Sequence, residues 1–153
     1  MSEVARIGSQ LKRAFEGEAW HGPSLKELLA GVTAEQGAAR PLAGAHSIWE
    51  IVLHIAAWEG VARLRLEGET ALIQTEEDWP PVPDTSETAW REALTKLEGG
   101  HKQLRATLRN LTDADLDKLV AGQQYSFYFL LHGVIQHDLY HAGQIALLKK
   151  IES

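Results

Sequence analysis

The sequence predicts an all-α protein, a four-helix bundle with short helical inserts, on three observations. Apolar residues recur at three- and four-residue steps through most of the chain. No long alternation of apolar and polar residues bounded by hairpin turns interrupts that pattern, so no sheet is expected. A chain of 153 residues suffices for one core and is short for two, so residues 1–153 read as a single domain.

The first long helix spans about Ser2 to Glu16, with Val4, Ile7, Leu11, Ala14 and Phe15 as its apolar stripe and Gly17 as its stop. Gly22-Pro23 then precede Ser24, which has Glu27 three residues on, the capping-box pattern that opens a short connecting helix. Thr33 and Gln36 repeat it for a second short turn over Thr33 to Ala39, and Pro41 and Gly44 end this region. From Ala45 to about Glu67 a second long helix carries Ile48, Ile51, Val52, Ile55, Trp58 and Ala62 on one side, and Gly68 closes it.

Glu69 to Asp84 holds Pro80, Pro81 and Pro83 and sets Glu76, Glu77 and Asp78 beside Trp79, which reads as a long surface loop and a candidate lid. The third long helix runs from Asp84 or Thr85 to Asn110 behind Trp90, Leu94, Leu97, Leu104 and Leu108. Gly99-Gly100 in its middle is expected to weaken or bend it. Thr112 caps a short helix that ends near Val120, and the last helix covers about Tyr125 to Ile151.

Composition narrows the function classes. With no cysteine, the chain has no disulfide, no thiolate metal site and no cysteine nucleophile, so a metal must be held by His, Asp, Glu or water. A formal charge of -6 offers no general attraction for a phosphate backbone, and no nucleic-acid partner is expected. No apolar run approaches the ~18 residues of a membrane span, and the N-terminus leads into an amphipathic pattern rather than a secretory segment. A cytoplasmic protein without membrane contact is the expectation.

The most informative stretch is Gln136 to Ile145. His137 and His141 stand four apart, one turn of helix, and can aim their rings at one point. Leu130, Val134, Ile145 and Leu148 share their face, so both imidazoles enter an apolar stripe, where they must be hydrogen-bonded, paired or metal-bound. Two hydrogen-bonded core histidines is the plain alternative. His54, at the margin of the second helix's stripe, is a third candidate ligand, because bundle metal sites are built from side chains projecting inward from facing helices. Glu50, one turn before it, could accept the second ring N–H of His54 or act on bound water as the catalytic base. Gln144 could orient His141 or make an ordinary interhelical hydrogen bond; His101 could support the site, add a ligand or be a hydrogen-bonded core histidine; His21 could reach the bundle mouth from its turn or stabilise that turn. His132 points away from His137, and His46 lies near a helix start.

Three stretches, Trp20-His21-Gly22-Pro23-Ser24-Leu25, His46 through Ile55 and His132 through Ile145, carry a resemblance. On them the chain resembles the DinB-like superfamily over essentially its whole length. The resemblance implies a four-helix bundle holding a divalent ion, zinc or nickel first and manganese or iron after them, with His54, His137 and His141 as ligands. It also implies a homodimer, a suggestion that agrees with a last helix apolar on two faces, the second formed by Tyr128, Leu131, Ile135, Leu139, Ala142 and Ala146. The family's name implies no DNA chemistry for this chain.

Three histidines would leave a coordination position open, the mark of a catalytic site. A metal-dependent hydrolase acting on a small molecule is the leading expectation. An S-transferase using an exogenous low-molecular-weight thiol, as among relatives, and a metal- or ligand-binding module without turnover are the alternatives. No motif identifies a basic anchor for the carboxylates of such a thiol.

Overall fold

The computed structural model describes residues 1–152. In chain order it contains α1 (Glu3–Glu16), α2 (Leu25–Leu29), α3 (Ala34–Ala38), α4 (Ile48–Leu66), α5 (Thr75–Asp78), α6 (Glu87–Arg109), a 3-10 turn (Asp113–Asp117) and α7 (Phe127–Glu152). Among the described residues the only strand-like pairings are isolated bridges, Ala19 with Gly22 and Leu119 with Ser126.

Local sequence chemistry sets the helix starts. The Ser2 hydroxyl accepts from the Ala5 amide and that of Ser86 from the Ala89 amide, while Ser24 with Glu27, Thr33 with Gln36 and Ser47 with Glu50 form reciprocal capping boxes. The second and third long helices therefore begin at Ile48 and Glu87, a few residues later than periodicity alone suggests. The insert after Thr112 is a 3-10 turn, and the acidic cluster before Trp79 winds into α5. α6 runs unbroken through Gly99 and Gly100. A Cβ built at either glycine meets no atom within 4 Å, so no close helix contact explains them.

The four long helices close a ring in which α4 contacts α6 and α7, and α1 contacts the same two. α2 packs on α1 and α7, α3 on α4 and α6, and α5 on α4. Trp90 ties the α3 segment down by donating its indole N–H to the Val32 carbonyl at 2.7 Å.

The core has two apolar halves. One gathers Phe15, Leu25, Ile48, Ile51, Ile55, Trp90, Leu97 and Ile145, the other Val4, Ile7, Leu11, Leu66, Leu104, Leu108, Leu131 and Val134. Each such side chain contributes about 1.5–3 kcal/mol by burial. The bundle thus has ample apolar surface to fold before any metal is considered. Between the halves sits a polar layer of one side chain per helix: Glu59 of α4, His101 of α6 and Asp138 of α7, all essentially fully buried.

Candidate metal centre

Helix geometry brings three imidazoles together. His137 and His141, one turn apart on α7, have ring centroids 4.5 Å apart. His54 faces them from α4 at 4.9 and 4.7 Å. One nitrogen from each lies within 4.8 Å of the other two, the single such cluster of potential ligands among the described residues. His54 and His141 are buried, whereas the His137 side chain keeps 27% of its surface exposed, so the cluster opens to solvent on that side.

Hydrogen bonds fix which nitrogens are free. His54 Nδ1 lies 2.6 Å from the Asp78 carbonyl oxygen and 3.1 Å from Asp78 Oδ1, both acceptors, so Nδ1 carries the proton and Nε2 keeps its lone pair. His141 Nδ1 donates in the same way to Gln144 Oε1 at 2.7 Å. Burial holds the His141 pKa below the usual imidazole value, which keeps it neutral as a ligand must be. His137 Nε2 stands 3.0 Å from His54 Nε2.

Facing lone pairs repel unless a proton or a cation lies among them. One proton can satisfy one pair of nitrogens; a divalent cation can satisfy all three. An all-imidazole donor set suits zinc, nickel or iron rather than magnesium or calcium, which take oxygen ligands. The residues present therefore fit the group they would hold.

The loop between α4 and α6 forms one wall. The Trp79 ring stacks on His54 at 3.8 Å and on His46 at 3.6 Å, each within 6° of parallel. Trp58 donates its indole N–H to Asp78 Oδ1 at 2.7 Å, and this holds the loop against α4.

The remaining sequence candidates fall in different places. The contacts of the Glu50 carboxylate are with Ser47, Arg40 and His46, and the expectation that it accepts the second ring N–H of His54 is corrected. Its carboxylate accepts from the Ser47 amide at 2.7 Å and pairs with Arg40, because the third residue after an N-cap serine is where a cap needs an acceptor. Asp78 occupies the nitrogen of His54 that Glu50 was expected to meet. Gln144 lies against His141, as described. His21 is exposed with Nε2 3.2 Å from the Pro23 carbonyl oxygen and is not one of the clustered imidazoles. His101 belongs to the polar layer, stacked on Phe15 at 3.8 Å with Nδ1 3.0 Å from Glu59 Oε1. His132 packs beside Tyr128.

Asp78, Glu59 and Asp138 were not singled out from the sequence. Burial pushes the Glu59 carboxyl up to about 8, against a lowering hydrogen bond from Asp138. The Asp138 carboxyl is raised well above the ordinary range, first by burial and then by the charge of Glu59. As two carboxylates they would leave Glu59 Oε2 and both Asp138 oxygens buried without a donor. A proton on Asp138, donated to Glu59, partners Glu59 Oε2 and one Asp138 oxygen and so eases that conflict. Burial also lowers the His101 pKa to about 4, so the layer is close to neutral at pH 7. Its signal in the sequence is an acid inside an apolar stripe: Glu59 between Ile55 and Ala62, Asp138 between Val134 and Ala142.

Comparison with known proteins places the chain in a family. A family model described as the DinB superfamily matches residues 19–145. A curated protein of Geobacillus thermodenitrificans (strain NG80-2), named "Putative metal-dependent hydrolase", is 28% identical over 137 residues, covering 83% of this chain and 77% of its own length. No solved structure gives a significant match.

Proposed function

The chain belongs to the DinB superfamily, and from that premise we propose that it is a metal-dependent hydrolase acting on a small molecule at the His54, His137 and His141 cluster. The observation that carries the reading is the convergence of three imidazole nitrogens with two tautomers fixed by Asp78 and Gln144. Zinc or nickel is the proposed ion, on the nitrogen-only donor set. Bound there, it would polarise a substrate oxygen and acidify water.

The protein's own groups do the rest. His54 and His141 hold their second nitrogens protonated, so their Nε2 atoms stay available. Trp79 covers one side of His54 and limits water there. The partly exposed side at His137 is the entrance for substrate. We assign the protein to the cytoplasm as a homodimer of single-domain subunits. The exposed apolar side chains of α7, among them Tyr128, Phe129, Tyr140 and Leu147, favour the dimer.

The test is a panel of esters, amides and lactones assayed with zinc- and nickel-loaded protein, beside metal-free protein and His137→Ala. Hydrolysis that needs both metal and His137 supports the reading. Turnover that appears only with an added low-molecular-weight thiol would move the assignment to an S-transferase. Saturable ligand binding without any product would move it to a binding module.

A further inference from the structure

A cavity of about 270 Å³ opens beside the histidine cluster, lined by Trp58, Arg65, Tyr125, Phe129 and Val134, with His137 at one end. Its walls are mostly apolar; Arg65 is the one lysine or arginine among the residues lining it, with the Tyr125 hydroxyl and the His137 ring as further polar groups. Arg65 is only 6% exposed. Its Nε donates to the Ala71 carbonyl at 3.0 Å and its Nη1 to the Tyr125 hydroxyl at 2.6 Å, both neutral oxygens. The guanidinium also lies 5.8 Å from the centre of the Trp58 ring.

Among the described residues no carboxylate forms an ion pair with Arg65, although the chain has 21 acidic residues. A buried cation without a counter-charge is costly, and hydrogen bonds to neutral oxygens offset only part of that cost. A guanidinium presents five N–H donors in a planar fork that matches a carboxylate, and two of its nitrogens are already fixed in place here. Trp58 links this anchor to the metal centre, since its ring is 6.3 Å from that of His137.

We infer that this cavity binds a small molecule with an apolar body and one carboxylate, the carboxylate on Arg65 and the body between Trp58, Phe129 and Val134, directed at His137. One cation without a second favours a monoanion over a phosphate dianion. This names the substrate class for the proposed hydrolase. Placement of the scissile bond rests on that reading, while the carboxylate site rests on Arg65 alone.

The probes are 4-phenylbutyrate, hexanoate and the neutral isostere 4-phenylbutyramide, titrated calorimetrically into the full chain, metal-free and zinc-loaded. The expected result is saturable binding in which phenylbutyrate exceeds the amide at least tenfold, with or without zinc, and in which Arg65→Gln removes the preference. Arg65 also ties the loop at Ala71 to α4, so a second variant tests the cavity without touching it. Gly133 lines the same cavity, lies within α7, and a Cβ there meets no atom within 4 Å. Gly133→Leu should fold and weaken both acids at least tenfold.

No saturable binding of either acid, a preference that survives Arg65→Gln, or affinity unchanged in Gly133→Leu would overturn the inference and leave Arg65 as a loop clamp. A preference seen only with zinc and lost in His141→Ala would place the carboxylate on the metal, sinking this inference while the metal reading stands. An Arg65-dependent preference in protein that takes up no metal would do the reverse.

Discussion

His54 and Asp78, 24 residues apart, meet at two points: His54 Nδ1 donates to the Asp78 main-chain oxygen at 2.6 Å and lies 3.1 Å from its carboxylate. This contact fixes the ring of one candidate ligand and joins the loop after α4 to the metal centre. A carboxylate behind a ligating imidazole raises its basicity and orients it, and losing such a partner typically costs 10–100-fold in metal affinity. Asp78→Ala keeps the carbonyl and removes the carboxylate. Zinc affinity, measured by competition with a chromophoric chelator, should fall about tenfold; an unchanged affinity would show that the carboxylate contributes nothing.

Glu50 belongs to the cap of α4. Glu50→Ala should therefore leave zinc affinity unchanged and lower stability by about 1 kcal/mol, within the range for a damaged N-cap. Chemical denaturation and metal titration of the same samples would check this. A large loss of turnover at unchanged stability and metal content would restore a catalytic role to Glu50.

The polar layer sets a pH dependence of stability. Glu59 holds its proton up to about pH 8 in the folded chain and only to the ordinary carboxyl range when unfolded, so its contribution declines as pH rises through that window. His101, lowered to about 4, acts oppositely: its contribution is complete above the ordinary imidazole pKa and declines as pH falls toward 4. The two slopes oppose each other between about pH 4.5 and 6.5, and above that range Glu59 prevails. Asp138, raised as well, adds a slope of the same sign, so metal-free protein should lose at least about 1 kcal/mol per pH unit from pH 6.5 to 8, and Glu59→Gln should reduce that loss. Thermal melts across this range would check it; a parent curve that is flat or rising from pH 6.5 to 8 would contradict the neutral layer.

Gly99 and Gly100 lie within the unbroken α6 with open space around them. Gly99→Ala and Gly100→Ala should each stabilise by about 0.5–1 kcal/mol, the helix-propensity difference between the two residues. Raised melting temperatures would bear this out, and a loss of stability would mean that α6 needs a glycine there.

Sequence periodicity made the four long helices legible, because each buries a continuous apolar stripe, and the serine and threonine caps marked where the inserts begin. His137 and His141 were legible because a helix turns spacing into position. His54 could be placed because a bundle ring sets α4 against α7. Asp78 was not legible, since no period relates a loop residue to the helix it folds onto. Glu59 and Asp138 left a trace as acids inside apolar stripes, but their partnership depends on α4 and α7 meeting at that level. Arg65 left none. One arginine near a helix end looks like any other until its surroundings prove to lack a carboxylate.

The central claim is that His54, His137 and His141 hold one divalent ion. The most direct measurement is metal content by elemental analysis of tag-free protein, beside His54→Ala and His141→Ala. One zinc or nickel per chain in the parent and none in either variant, with helicity retained, is the expected result. No metal in the parent after incubation with zinc, nickel, manganese or iron, or full occupancy in both variants, would contradict the account.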